Sequence, residues 1–237
     1  MIFTSFFKAL GQLSDPRFRR VFFLGIGLSF ALLIAVYALF LWFLQWSLGD
    51  GAELPLIGHV TWVDDLLSWG SFFLMLLLSV FLMVPVASAI TSLFLEDVAQ
   101  AVEDRHYPQL PKGRNVGFWD GLRDTVNFLG VLVAANVLAL ILYAFFTPAA
   151  LFIFWGMNGF LLGREYFQLA AMRHVGRDRA KELRRAHIGR IWLAGTLMAM
   201  PLSIPLVNLL VPILGAATFT HIFHAVTREK SGVSPSG

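Results

Sequence analysis

Cysteine is absent from the 237-residue chain. That removes disulfides, a thiolate nucleophile and any cysteine-based metal centre. Charge is scarce as well: 14% of residues are Asp, Glu, Lys or Arg against 57% hydrophobic, and mean hydropathy is +0.71. Four long stretches, roughly 21–48, 66–95, 126–163 and 191–226, contain no Asp, Glu, Lys or Arg at all. Uncharged apolar runs beyond about 18 residues mark membrane-spanning helices. Without Asp, Glu, Lys or Arg in these stretches, the chain lacks the charged groups at depth that proton-coupled carriers, voltage sensors and intramembrane proteases generally need. Also missing are G-x-x-x-x-G-K, H-E-x-x-H and G-x-S-x-G, so nothing suggests an enzyme, a cofactor or a bound metal. The net charge of +3 is too modest to argue for nucleic acid.

The 18 Lys and Arg fall in four places: through Arg20, from Arg105 to Arg123, from Arg164 to Arg190, and at Arg228 and Lys230. None lies in the acidic, turn-rich segment 49–65, which holds Asp50, Pro55 and Gly58. Short loops rich in Lys and Arg stay cytoplasmic. Both termini and both basic connections are therefore expected on one side, with only 49–65 opposite. The first two stretches cross once each, and the last two go in and come back. The first stretch is too long for a signal-peptide core and no small-x-small site follows, so it is expected to stay as an anchor. The expectation is an all-α integral membrane protein with two long transmembrane helices and two helical hairpins, partly inserted or fully spanning. It forms a single membrane domain over 1–230, with a disordered polar tail at 231–237.

Ile2, Phe3, Phe6, Phe7, Leu10 and Leu13 recur at helical spacing, which predicts an amphipathic segment lying in the membrane interface. Ser14-Asp15-Pro16 reads as a helix start, a capping side chain followed by proline in the first turn. That helix runs to about Leu48. Trp42, Trp46, Trp62 and Trp69 flank the outer loop as an aromatic belt. A second long helix begins near Val63, kinks at Pro85 and leaves the membrane past Leu95 as a charged amphipathic segment. Pro108, Pro111 and Gly113 end it, and a new helix starts at about 118–127. The stretches 126–163 and 191–226 are each about 56 Å long as helix, nearly twice the hydrocarbon thickness. Thr147-Pro148 breaks the first, and Pro201, Pro205 and Pro212 break the second, so each folds as a hairpin, favouring one that dips in and returns.

Arg17-Phe18-Arg19-Arg20 follows the helix start directly. Unpaired N–H groups, the positive dipole end and adjacent guanidinium groups suit an anion there, although the arginines also serve simply to anchor the helix. Thr147 and Ser203 offer caps for helices beginning inside the bilayer, a device that holds anions without charged side chains. With Asn208 they are the candidate lining of an anion path; a turn that only reverses the chain is the plainer reading. The segment 164–190 carries eight basic and three acidic residues and reads as a cytoplasmic loop obeying the charge bias, with contact to lipid headgroups as its alternative. His221 and His224 lie three apart on one helix face, but no third ligand or nearby carboxylate completes a metal site. Gly159-x-x-x-Gly163, with Gly156 before it, is a close-packing signature.

Taken together, Ala180-Lys181-Glu182-Leu183-Arg184-Arg185, Arg190, Gly195, Pro201, Pro205-Leu206-Val207-Asn208 and Pro212-Ile213-Leu214-Gly215-Ala216 resemble the C-terminal signature of the CysZ-like sulfate permeases. These sit within a wider family of etoposide-induced membrane proteins. Asp15-Pro16-Arg17-Phe18-Arg19-Arg20 is similar to the family's opening of the first long helix, and Gly163-Arg164-Glu165-Tyr166-Phe167 to a segment of its bacterial members. The chain departs from the permeases at Ser88-Ala89-Ile90-Thr91-Ser92, where they tend to carry Ala-Pro-Phe-Asn-Gly. The resemblance implies an oligomeric bacterial inner-membrane protein passing sulfate inward for cysteine synthesis. It also implies a sulfate-binding arginine pair at Arg19 and Arg20, assisted by backbone N–H groups around 16–18. The competing expectation, from the basic 164–190 face, is a non-transporting scaffold that binds lipid or a protein partner.

Overall fold

The computed structural model describes residues 1–48, 53–54, 58–59, 86–87, 90–91, 93–114 and 116–230. They belong to two compact units, Met1–Phe22 with Ser92–Gly237, and Phe23–Thr91. In chain order the elements are α1 (Ile2–Gly11), α2 (Pro16–Leu48), β1 (Glu53–Leu54), β2 (Gly58–His59), α3 (Leu95–His106), α4 (Phe118–Phe145), α5 (Ala150–Ala186), α6 (Ile188–Ala199), α7 (Pro205–Asn208) and α8 (Val211–Lys230). The expected second long helix, with Trp62, Trp69 and Pro85, lies almost wholly outside the described residues, as does the tail 231–237.

In the larger unit α8 is the core helix. Every residue from 211 to 224 is buried, the apolar ones together with Thr218, Thr220, His221 and His224. α1 packs on it through its small face, with Ser5, Ala9 and Gln12 buried. Phe3 and Phe7 are left exposed on the other side at 66% and 63%. α5 crosses α8 with Tyr166 on Phe219 and Phe167 on Phe223, ring centroids 6.1 and 6.2 Å apart. α3 buries Leu95, Val98, Ala99 and Val102, one stripe at helical spacing. It stops at His106 because Pro108 excludes helical geometry from Tyr107, whose φ and ψ are −137° and 42°.

Both hairpins are present. α4 turns into α5 through a 3₁₀ turn at Thr147–Ala149, and α6 turns through Met200–Ser203 into α7 and α8. Each turn has a proline at an opening position, where a missing N–H costs nothing. The arms differ. α4 has 28 residues, about 42 Å, whereas α6 has 12, about 18 Å. Among the described residues, Pro16–Leu39 and Trp119–Phe145 are long and apolar enough to cross a membrane. Leu140 and Phe145 of the latter are exposed at 66% and 77%.

α5 and α6 meet through glycines, as the spaced Gly159 and Gly163 predict. A Cβ on Gly163 would lie 2.7 Å from the Ile191 carbonyl oxygen, and one on Gly195 would overlap Gly159. The segment 164–190 is not a solvated loop. α5 continues through it to Ala186, broken only at Gly176, whose φ of 73° and ψ of 171° suit glycine alone. Averaging its charges hides a buried face: Arg164 and Arg173 are 8% and 4% exposed, and Arg164 lies over the Phe128 ring at 5.0 Å.

In the smaller unit, α2 passes Ala87 and Thr91 closely at Gly25. A Cβ on Gly25 would collide with the Thr91 side chain, and Ser29 Oγ donates to the Gly25 carbonyl at 2.5 Å.

Candidate functional site

The corner between α1 and α2 sets the arginines. Asp15 caps α2, its Oδ1 accepting the Arg17 N–H at 2.9 Å and its Oδ2 accepting from Gln12 Nε2 at 3.1 Å. Gln12, fully buried, also donates to the Ala101 carbonyl at 3.0 Å and so fastens the corner to α3. Phe18 and Val21 enter the core, 1% and 2% exposed. One helical turn apart, Arg17 and Arg20 then share a face. With Val21, Asp97 and Gln100 they line a cavity of about 220 Å³. Arg19 is exposed on a different face. Arg17 Nη1 donates to Asp104 Oδ2 at 2.5 Å. The hydrogen bonds from Arg17 and Gln100 hold Asp104 below the usual carboxylate range.

Pro16 has no N–H to offer, and the Arg17 N–H is already taken by Asp15. At the hairpin tips, Thr147 Oγ1 donates back to the Tyr143 carbonyl at 3.0 Å instead of capping α5. Ser203 Oγ accepts from Trp155 Nε1 at 3.5 Å, which brings the second tip beside the first hairpin. Asn208 is half-buried at the end of α7.

From the arginine cavity a polar chain runs inward. Gln100 Nε2 donates to Asp104 Oδ1 at 2.9 Å, while Gln100 Oε1 accepts from Arg173 Nη2 at 2.7 Å. Arg173 Nη1 reaches Glu103 Oε1 at 3.3 Å. The same oxygen accepts from His174 Nε2 at 2.8 Å, and His224 Nε2 lies 3.6 Å away. Burial pushes the Glu103 carboxyl up, but the imidazoles of His174 and His224 and the charge of Arg173 overcome this and hold it down to about 2. Beyond it, the Tyr107 hydroxyl and His221 Nδ1 share a hydrogen bond of 2.8 Å, and the His106 ring meets His221 edge-on at 4.8 Å. Burial raises the Tyr107 phenol, keeping its proton.

The sequence reading left His221 and His224 without a partner. The fold supplies Glu103 from α3 and His174 from α5. The signal that finds them is positional. Glu103 follows Ala99 by four residues, and His174 follows Ala170 by four, so both stand on stripes that periodicity assigns to the core.

A family model described as Sulfate transporter CysZ/Etoposide-induced protein 2.4 matches residues 5–212. No curated protein and no solved structure matches the chain. The match runs from α1 to the first turn of α8 and takes in the arginine corner, the first hairpin and the turn of the second; on that span the chain belongs to the Sulfate transporter CysZ/Etoposide-induced protein 2.4 family.

Proposed function

We propose that this membrane protein is a permease for sulfate or a similar oxyanion, working by facilitated diffusion. The observation that carries the reading is the cavity of about 220 Å³ at the start of α2, lined by Arg17 and Arg20, in a chain of the sulfate-transporter family. Guanidinium groups bind tetrahedral oxyanions through paired charge-assisted hydrogen bonds. Arg20 supplies the primary contact and Arg19 recruits the anion from the surface. Arg17 joins them when it leaves Asp104, which competes with the anion for its guanidinium. Neutral groups continue the route at the hairpin tips, where Thr147, Ser203 and Asn208 serve as lining. The sequence carries no nucleotide-binding motif, and its apolar stretches hold no Asp, Glu, Lys or Arg, to couple flux to an energy source.

α2 and α4 would cross the bilayer, with both termini and the basic segments at the cytoplasmic face of a bacterial inner membrane. Copies of the chain would associate as a homo-oligomer, and the sulfate would feed cysteine synthesis.

Uptake of labelled sulfate into proteoliposomes tests this. The parent should show saturable uptake that both an Arg19→Ala/Arg20→Ala and an Arg17→Ala/Arg20→Ala variant lose. Uptake equal in parent and variants removes the arginines from the mechanism. No saturable uptake by any of them returns the chain to the scaffold reading.

A further inference from the structure

We propose that Glu103, His174 and His224 form a site for one divalent transition-metal ion of the zinc class, clamping α3, α5 and α8. Its ligands are not the arginines of the corner, and it does not depend on what the protein transports. One ligand atom from each residue, a carboxylate oxygen or an imidazole nitrogen, lies within 4.8 Å of the others. The Nε2 atoms of His174 and His224 lie 2.8 and 3.6 Å from Glu103 Oε1, so the three side chains already converge.

The donor set is two imidazoles and one carboxylate. That set suits zinc and its neighbours; calcium and magnesium ask for oxygen throughout. The groups are ready for an ion in two further respects. Glu103 and His224 are 5% and 3% exposed, yet Glu103 Oε2 and His224 Nε2 are buried without a hydrogen-bond partner. Buried polar atoms of this kind are ordinarily served by something. Beside them is a cavity of about 30 Å³, bordered by Glu103, His174, His224, Tyr107 and Asp104. It is the size of a single water and leaves room for a fourth ligand.

Arg173 is the charge that argues against a cation. Its guanidinium is committed to Glu103 Oε1 and Gln100 Oε1. It therefore orients the carboxylate as an outer-shell partner and leaves Oε2 to the ion. Asp104 on the cavity wall adds a negative charge, and Lys112 a positive one. His174 and His224 both border that cavity already.

The experiment uses the full chain in detergent, carrying an affinity tag without histidine, stripped with chelator and titrated with Co²⁺. The expected result is one cobalt per chain, with the visible d–d absorption of a four-coordinate site, displaced by Zn²⁺. His59→Ala, at the β1–β2 hairpin, should bind like the parent. Glu103→Gln and His224→Ala should weaken binding by more than about tenfold, with helical content by circular dichroism unchanged. His174→Asn, at the more accessible edge of the cluster, gives the same reading if His224→Ala fails to fold. A parent that yields only the pale spectrum of hydrated cobalt overturns the proposal and assigns the orphaned atoms to a water molecule. So does binding that persists in Glu103→Gln and His174→Asn.

Discussion

An alanine at Gly195 would place its Cβ 2.9 Å from the carbonyl carbon of Gly159 and from the amide nitrogen of Gly163, and nearer still to the Gly159 oxygen. All are backbone atoms, so no rotamer change relieves the overlap. Carbon contacts are favourable at about 3.5–4.0 Å, so α6 must retreat from α5 by on the order of an ångström. The interface opened in this way is the one that buries Ile191, Ala194 and Met198, each 3% exposed. A gap of that size forfeits about a quarter to a half of the dispersion energy at each contact. Overpacking costs about 1–3 kcal/mol, and a site walled by backbone falls at the upper end. Alanine is about 1 kcal/mol better than glycine inside a helix, which leaves a net loss of about 2 kcal/mol. For a chain this size that is a fall in Tm of about 4–8 °C. Thermal unfolding in detergent reads it against Gly130→Ala, where nothing lies within 4 Å of the added methyl. There helix propensity acts alone and Tm should rise. A Gly195→Ala protein that melts at or above the parent refutes the glycine-mediated contact.

Three other outcomes follow from the same geometry. Asp104→Asn releases Arg17 and should tighten sulfate binding several-fold by isothermal titration. Because Arg17 and Gln100 lower the Asp104 pKa in the folded protein, the pair's contribution is present above the ordinary carboxylate pKa and fades as pH falls through the lowered one. Acid well below the ordinary aspartate pKa of about 3.9 should therefore mimic the substitution in the parent and do nothing further to Asp104→Asn. Arg173→Met strands a carboxylate that is 5% exposed and should cost about 3–5 kcal/mol in thermal unfolding. The double variant Glu103→Gln/Arg173→Met should recover most of that loss, and a double no better than the single would discount the pair. The native chain has no cysteine, so Thr147→Cys and Ser203→Cys each give a single accessible thiol. α4 is about 42 Å long and α6 about 18 Å, against about 30 Å of hydrocarbon. Impermeant maleimide added outside should therefore label Thr147→Cys and spare Ser203→Cys; equal labelling would mean that both hairpins cross.

Why some of this is legible in the sequence and some is not comes down to range. Local chemistry marks the elements: Asp15-Pro16 starts α2, Pro108 stops α3, and Thr147-Pro148 and Pro201 place the turns within a residue or two. Gly159 and Gly163 even announce a close neighbour. None of these signals carries the register between helices. Glu103, Arg173, His174 and His224 come from three helices separated by as much as 121 positions in the chain, and only packing decides that they meet. The charge count misled for a related reason. It sums over 164–190, whereas burial sorts that segment by face, sending Arg173 inward and leaving Arg179 and Arg185 outside. The residue hardest to anticipate is Gln100, an uncharged side chain on a helix of charged ones. Its amide faces Asp104 with the nitrogen and Arg173 with the oxygen, so one side chain joins the arginine cavity to the buried Glu103 centre. Glutamate there would repel Asp104 and a leucine would leave Arg173 half-satisfied, whereas an amide alone offers a donor to one side and an acceptor to the other.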